Sequence, residues 1–217
     1  MDSSAPTPRE RIKGVRLYLL ATRALSRLPI AEAVAAACQG GVGAVQVREK
    51  EAPDAVVLAV ARDLLAVCRA HGALLIVNDR VEVALEAGAD GVHLGPEDMA
   101  LAEARRILGP DRIVGVTTHD LAQARRAVAE GADYIGIGPV FPTRTKEVAV
   151  RAIGPEAAGR VAAAVSVPAF AIGGIGPGNA RRVAAAGCGR VAVCASVLGS
   201  EVPQVPARTI LAELDGP

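Results

Sequence analysis

Short apolar runs rich in valine, isoleucine and leucine alternate along this chain with Ala-rich segments whose apolar residues recur every three or four positions. The short runs have the composition of buried strands, and the longer segments have the periodicity of amphipathic helices. The pattern predicts strands at 16–20, 44–48, 74–77, 91–94, 113–116, 134–137, 169–172 and 190–194. It predicts helices at 30–38, 54–70, 80–86, 100–108, 121–129, 155–165, 177–186 and 203–214.

Strict alternation of strands and helices predicts an α/β fold with a parallel sheet, and eight repeats are the number that closes such a sheet into a barrel. We therefore predict an eight-stranded parallel β/α barrel (TIM barrel). A doubly wound open sheet is the rival, but no GxGxxG motif follows the first predicted strand. Glycines that end Ala-rich segments before every second strand, such as Gly88 and Gly131, add a weak internal repeat.

The domain prediction is one barrel over residues 15–217. Residues 1–14 begin with a polar, Pro-containing stretch that has no apolar core, so it does not resemble a signal peptide. We predict a flexible, solvated tail there. The longest stretch without periodicity is 138–154, and a long loop within a compact fold is usually functional.

Composition narrows the range of partners. The chain has 217 residues, a net charge of +1 and only four aromatic residues, which argues against a nucleic-acid partner. No apolar run is long enough to span a bilayer, so no membrane partner is predicted.

The four cysteines are Cys38, Cys68, Cys188 and Cys194, which lack metal-ligand spacing and lie in apolar surroundings. Free cysteines without an export signal predict a cytoplasmic protein. Homo-oligomerisation is compatible with the sequence but not specified by it.

Polar residues collect where the predicted strands end, which is the face where such barrels carry their active sites. In chain order they are Gln46, Arg48 and Lys50; Asn78 and Asp79; His93 and Asp98; Thr117 and His119; Thr143, Arg144, Thr145 and Lys146; Gly173 and Gly174; and Cys194 and Ala195. Cations, hydroxyls and glycine amides are the chemistry of phosphate recognition. Two carboxylates without histidine or cysteine partners suit a Mg²⁺ ion that bridges a diphosphate.

Each of these residues also has a purely structural interpretation. Asp79 and Asp98 could cap the helices that follow them, and Arg48 and Lys50 could be solvated charges. His119 could cap a helix or act in a mechanism, whereas His93 is more typical of a hydrogen-bonded core residue. The pattern contains no nucleophile–histidine–acid arrangement and no lysine within a strand that would indicate Schiff-base chemistry.

Six motifs resemble those of the thiamine phosphate synthase family and of its sister group, the thiazole tautomerases. They are VQVREK (45–50), VNDR (77–80), GVHLGPED (91–98), GVTTH (115–119), GIGPVFPTRTK (136–146) and AIGGI (171–175). The resemblance extends from about residue 17 to residue 198, and the order and spacing of the motifs make it specific. The chain departs from the family pattern at Ala21-Thr22-Arg23, where an aspartate commonly follows the threonine.

The resemblance implies a transferase that joins 4-amino-2-methyl-5-hydroxymethylpyrimidine diphosphate to thiazole phosphate, giving thiamine phosphate and pyrophosphate. It implies that Asp79 and Asp98 bind Mg²⁺. It implies that the pyrimidine diphosphate is held by Gln46, Val47, Arg48, Glu49, Lys50, Asn78, Thr117 and Lys146. It implies that the thiazole phosphate is held by Thr143, Arg144, Thr145, Gly174 and the backbone of Cys194 and Ala195.

The catalytic groups implied are Arg48, Lys50 and Lys146, which would stabilise the charge of the leaving diphosphate without any protein nucleophile. Two other functions stay open. In a thiazole tautomerase His119 would be the proton shuttle and no Mg²⁺ would be needed. A barrel could also bind thiamine phosphates without turnover.

Overall fold

The computed structural model describes residues 5–143 and 151–216. Within these residues eight parallel strands form a closed barrel in sequence order, with β8 paired to β1. The strands are β1 Leu17–Ala21, β2 Ala44–Val47, β3 Leu74–Asn78, β4 Gly91–Leu94, β5 Ile113–Thr118, β6 Tyr134–Ile137, β7 Ala169–Ile172 and β8 Val191–Val193. The predicted TIM barrel is therefore confirmed, and every strand end lies within two residues of the prediction.

Helices cover the outside of the barrel. They are α1 Pro8–Arg11, α2 Ile30–Gln39, α3 Asp54–Ala70, α4 Val81–Ala87, α5 Leu101–Leu108, α6 Leu121–Ala129, α7 Pro155–Ala163, α8 Ala180–Ala185, α9 Ala195–Leu198 and α10 Gln204–Leu214. Helix α8 begins three residues later than predicted, because the Asn179 side chain accepts a hydrogen bond from the Gly176 amide and holds a turn there. No helix within the described ranges is both long and apolar enough to cross a membrane.

The core has two parts, as the alternation of side chains along each strand requires. One part lies between the strands and the helices and consists mainly of Val, Leu and Ala. The other fills the interior of the barrel and includes Tyr18, Leu74, Ile113, Tyr134 and Phe170. The three interior rings pack edge to face, with centroids 5.4–5.7 Å apart. The chain thus places three of its four aromatic residues inside the barrel.

The N-terminal segment closes the amino-terminal end of the barrel. Helix α1 begins with a capping box between Thr7 and Glu10, and Ile12 is fully buried in the interior core. The Arg9 Nε donates to the Asp133 carboxylate at 2.6 Å. The structure therefore differs, from Thr7 onward, from the solvated tail predicted for residues 1–14. The physical reason is that closing the barrel creates an open apolar end, which Ile12 fills.

Candidate active site

Two carboxyl groups lie together beyond the ends of β3 and β4. Asp79 adopts the left-handed backbone conformation, at φ 63°, and its amide donates to the His93 carbonyl at 2.8 Å. The Asp98 carboxylate accepts a hydrogen bond from the Gly95 amide at 2.6 Å. Burial, a hydrogen bond to Asp98 and the charge of Asp98 raise the pKa of Asp79 to about 6, against the opposing charges of Lys50 and Arg48. Two carboxyl groups this close repel each other when both are ionised, which favours the protonated form of Asp79.

The capping alternatives for these acids are wrong. The N-cap residue of α4 is Arg80 and that of α5 is Ala100, and neither helix has a side-chain cap. Asp79 and Asp98 therefore hold no helix end, and Asn78 is the last residue of β3. Within the described part of the chain, no group of three or more metal-ligating side chains occurs. The donor set fits Mg²⁺, because that ion is commonly held by one or two carboxylates and by the phosphates of its substrate.

Lys50 lies beside this acid pair. Its Nζ is 3.7 Å from the Asp79 Oδ2, and its side chain is 46% exposed. The Arg80 Nη2 donates to the Lys50 carbonyl at 2.9 Å, and the Arg80 Nε contacts the Asp54 carboxylate at 3.2 Å. Arg80 thus joins the β2–α3 loop to the β3–α4 loop and holds Lys50 near Asp79. Arg80 was not predicted as a site residue, because its contacts depend on the approach of two loops that are distant in sequence.

Arg48 and Glu49 of the VQVREK motif directly follow the end of β2. The Arg48 carbonyl accepts from the Thr22 hydroxyl at 3.0 Å. The Glu49 carboxylate accepts from the Arg23 amide at 2.7 Å and forms an ion pair with the Arg23 Nε at 3.3 Å. Val47 is the last residue of β2, and its side chain is buried between the strands and helices. Val47 and Glu49 could therefore meet a substrate through their backbone, whereas their side chains are already packed or paired.

Gln46 and Thr117 face the barrel interior and are connected by buried side chains. Gln46 Nε2 donates to the Tyr18 hydroxyl at 2.8 Å, and the hydroxyls of Tyr18 and Tyr134 are 2.9 Å apart. His93 Nδ1 is 2.9 Å from the Tyr134 hydroxyl, and His93 Nε2 is 2.8 Å from the Thr117 hydroxyl. The interpretation of His93 as a hydrogen-bonded core residue is confirmed. The two tyrosines were missed, although both stand at inward-facing strand positions that are otherwise apolar.

The opposite side of the barrel opening contains the loop after β6 and the turn after β7. The Ile153 amide donates to the Pro139 carbonyl at 2.8 Å, which closes the base of the β6–α7 loop. The Phe141 amide donates to the Gly173 carbonyl at 3.0 Å, so this loop begins alongside the glycine turn. Gly174 has φ 65°, and a Cβ atom there would lie 2.7 Å from the Pro142 carbonyl oxygen. Thr143 therefore follows a segment packed on Gly174, whereas Arg144, Thr145 and Lys146 lie outside the described residues.

The β8 end adjoins the same turn. Cys194 precedes α9, which begins at Ala195, and the Ser196 hydroxyl donates to the Ile175 carbonyl at 2.9 Å. Burial raises the pKa of the Cys194 thiol, which therefore stays protonated near neutral pH. The structure thus brings Gly174, Cys194 and Ala195 into one region, as the positions of their strands predict.

His119 does not cap the helix that follows it. The capping residue of α6 is Asp120, whose side chain accepts from the Gln123 amide at 2.8 Å. The His119 Nδ1 is 2.6 Å from the Gly138 carbonyl oxygen. Because a carbonyl only accepts, Nδ1 carries a hydrogen, and in the neutral imidazole Nε2 presents a lone pair.

Together these groups define the class of the protein: a parallel β/α barrel with a polar site at the carboxyl ends of its strands. A family model described as thiamine monophosphate synthase matches residues 17–197. A thiamine-phosphate synthase of Anaeromyxobacter dehalogenans is 48% identical over 86% of this chain and 83% of its own length. A solved thiamine phosphate pyrophosphorylase from Pyrococcus furiosus is 37% identical, with a TM-score of 0.85 over 94% of this chain and 96% of that one.

The chain therefore belongs to the thiamine monophosphate synthase family. A thiamine biosynthesis bifunctional protein of Symbiobacterium thermophilum is 47% identical over 97% of this chain, which spans 42% of that protein's length. The chain spans about half the length of several of the curated relatives it matches.

Proposed function

We propose that this protein condenses hydroxymethylpyrimidine diphosphate with thiazole phosphate and releases pyrophosphate, as the names of its relatives suggest. The observation that carries the proposal is the gathering of Lys50, Asp79 and Asp98 at one side of the barrel opening. Cations beside a pair of carboxyl groups suit a magnesium diphosphate, whereas a carboxylate pair alone would repel it.

The barrel offers separate places for the two substrates. In a closed barrel of eight strands in sequence order, β3 and β4 stand opposite β7 and β8. The acid pair follows the former two strands, and the glycine turn and Cys194–Ala195 follow the latter two. We assign the pyrimidine diphosphate to the first side and the thiazole phosphate to the second. Thr117, near the end of β5, lies between the two sides, where the reacting atoms would meet.

The proposed mechanism is electrostatic. Arg48 and Lys50, with Lys146 from the undescribed part of the loop, would stabilise negative charge as the diphosphate leaves. Asp79 and Asp98 would hold Mg²⁺, which supplies further positive charge to the diphosphate when it is bound. Gln46 and Asn78 would orient the pyrimidine, Thr117 would contact its diphosphate, and Thr143 with Gly174 would orient the thiazole phosphate. No protein nucleophile is required, because the thiazole ring nitrogen forms the new bond as pyrophosphate departs.

The direct test is turnover with both substrates and Mg²⁺. We expect thiamine phosphate and pyrophosphate in equal amounts, loss of turnover in excess EDTA, and recovery when Mg²⁺ is restored. Asp79→Asn keeps the preference for the left-handed backbone but removes the charge, so it should raise the Mg²⁺ requirement. Asp63→Asn is the matched control, because Asp63 is exposed on α3, away from the site.

Two results would contradict the proposal. Folded protein that binds both substrates without forming product would indicate a non-catalytic barrel. Full turnover in excess chelator would contradict the assignment of Asp79 and Asp98 to a metal.

The thiazole tautomerase remains the second candidate, because the Gly138 carbonyl orients His119 with Nε2 as a base. His119→Ala should abolish a tautomerase but should leave much of a synthase's activity, since loss of the diphosphate needs no proton shuttle. Isomerisation of a thiazole carboxylate phosphate without Mg²⁺, abolished by His119→Ala, would favour this second candidate.

We also propose that the protein works in a reducing compartment such as the cytoplasm. All four cysteines are free thiols, and three of them are buried. Labelling with a membrane-impermeant thiol reagent before and after lysis and denaturation, followed by cell fractionation, would test this location.

A further inference from the structure

Five polar side chains form a continuous hydrogen-bonded chain across the barrel interior. In order they are Gln46, Tyr18, Tyr134, His93 and Thr117, with successive atoms 2.8–2.9 Å apart. They come from β2, β1, β6, β4 and β5 respectively, so side chains that are hydrogen-bonded to each other belong to residues far apart in sequence. Its two ends are residues that the proposed function places on the pyrimidine diphosphate. Its three middle residues have no role in that proposal.

The directions of these hydrogen bonds follow from the groups that can only donate and from the cost of leaving a buried hydroxyl unpaired. The amide nitrogen of Gln46 can only donate, so the Tyr18 oxygen accepts. Tyr18 is 2% exposed. Among the described residues, its hydroxyl contacts one polar side chain besides Gln46, namely the Tyr134 hydroxyl. Because a buried hydroxyl that fails to donate costs about 1–3 kcal/mol, the hydrogen of Tyr18 points to Tyr134.

The same reasoning extends to the far end. The Tyr134 oxygen accepts from Tyr18, so its own hydrogen goes to His93 Nδ1. A neutral imidazole that accepts at Nδ1 carries its hydrogen on Nε2, which donates to the Thr117 oxygen. The hydroxyl hydrogen of Thr117 is then directed away from His93. Thr117 is half-buried near the carboxyl end of β5, where a ligand in the barrel opening would meet it.

We infer that Tyr18, Tyr134 and His93 are positioning residues that orient Gln46 and hold the Thr117 hydroxyl as a hydrogen-bond donor toward the diphosphate substrate. Diphosphate oxygens are acceptors, so a hydroxyl that instead donated to His93 would present its lone pairs to them and repel them. The inference rests on the proposed function for its substrate. Its statement about the His93 tautomer does not.

The variant that tests it is Tyr134→Phe, which removes one hydroxyl and keeps the ring that packs against Phe170. Tyr18→Phe removes the preceding link and serves as a second variant. The matched control is Thr118→Val, because Thr118 is a buried hydroxyl next to Thr117 that donates to the Gly136 carbonyl instead, at 2.9 Å. Thermal unfolding of each variant establishes that it is folded.

The first readout is the tautomer of His93 in the free protein, measured by ¹⁵N NMR and assigned with His93→Gln. We expect hydrogen on Nε2 in the parent and in Thr118→Val, and a loss of this fixed tautomer in Tyr134→Phe. A parent protein with hydrogen on Nδ1 of His93 would overturn the inference. This measurement involves no substrate, so its outcome is independent of the proposed function.

The second readout is binding of each substrate alone, with Mg²⁺, by calorimetry. Loss of one charge-assisted hydrogen bond should weaken pyrimidine diphosphate binding by about tenfold in Tyr134→Phe, with thiazole phosphate binding unchanged. In a Thr117→Val background the same tyrosine change should have almost no further effect, because the donor it orients is gone. Equal weakening for both ligands, or full additivity of the two changes, would show that the tyrosine acts only through stability.

Discussion

The phenol ring of Tyr134 occupies the space that a side chain on Gly115 would need. A Cβ atom added to Gly115 would lie 2.0 Å from the Tyr134 Cζ and 2.5 Å from its hydroxyl oxygen. Gly115 on β5 is paired in register with Tyr134 on β6, so the absence of a side chain at one position admits the large ring at the other. This pairing brings the Tyr134 hydroxyl within reach of both Tyr18 and His93.

Gly115→Ala should therefore displace Tyr134 and disturb the hydrogen bonds that connect the side chains of Gln46 and Thr117 across the barrel interior. Overpacking of this kind costs about 1–3 kcal/mol of folding stability. Chemical denaturation measures the loss, and a changed near-ultraviolet tyrosine spectrum reports the moved ring. Gly14→Ala is the control, because nothing lies within 4 Å of a Cβ there. Unchanged stability and spectrum in Gly115→Ala would mean that the ring has room to move.

Ile12→Ala tests whether the N-terminal segment closes the barrel. Ile12 is fully buried against the interior core, so truncation should cost about 2–5 kcal/mol. Val205→Ala removes apolar carbons from a residue that is 56% exposed and should leave stability almost unchanged. Both are measured as shifts in the denaturant midpoint at constant slope. A midpoint for Ile12→Ala equal to that of the control would support a solvated tail instead.

The raised pKa of Asp79 predicts how stability responds to pH. The folded value of about 6 lies above the ordinary value of 3.8, so the native state holds more protons than the unfolded state between these limits. This carboxyl therefore lowers the stability of the ligand-free protein as pH rises through that window. Chemical denaturation should show that Asp79→Asn becomes increasingly more stable than the parent between about pH 4 and pH 7. The Asp63→Asn variant should show no such trend.

The same ionisation should govern Mg²⁺ binding. Because the ion needs ionised carboxylates, its affinity should rise as pH increases from about 5 to 7 and then level off. Asp98→Asn removes the neighbouring carboxyl and should lower the pKa of Asp79, which carboxyl ¹³C NMR would detect. A pKa of Asp79 that is unchanged in Asp98→Asn would contradict the proximity of the two groups.

Arg80→Gln tests the link between the β2–α3 and β3–α4 loops. The change removes the ion pair with Asp54 and shortens the reach to the Lys50 carbonyl. Pyrimidine diphosphate binding should weaken by about tenfold or more while thiazole phosphate binding is retained, because Lys50 is held on the side assigned to the diphosphate. The control is Arg62→Gln, whose exposed pair with Glu86 should contribute little. Equal binding by both variants would show that Lys50 needs no such support.

The order of strands and helices could be predicted from the sequence alone, because hydrophobic periodicity is a local property of each segment. The same is true of the strand ends as the place of the site, since all strands of a parallel barrel end at one face. Asp79, Lys50 and Gly174 were predicted on that basis, and the structure places each of them there. The resemblance in the motifs supplied the roles that positions alone do not specify.

Only the tertiary structure decided which polar groups contact one another. The hydrogen-bonded side chains that connect Gln46 to Thr117 come from five strands. Their contacts depend on the closure and register of the barrel, which no local pattern encodes. Closure of the barrel also buries Ile12. The apolar end that Ile12 covers is formed only when β8 pairs with β1. The raised pKa of Asp79 arises in the same way, since its causes are burial and a carboxyl group from another strand end. Local sequence thus determined the elements and the face of the site, and long-range contact determined its hydrogen bonds and charges.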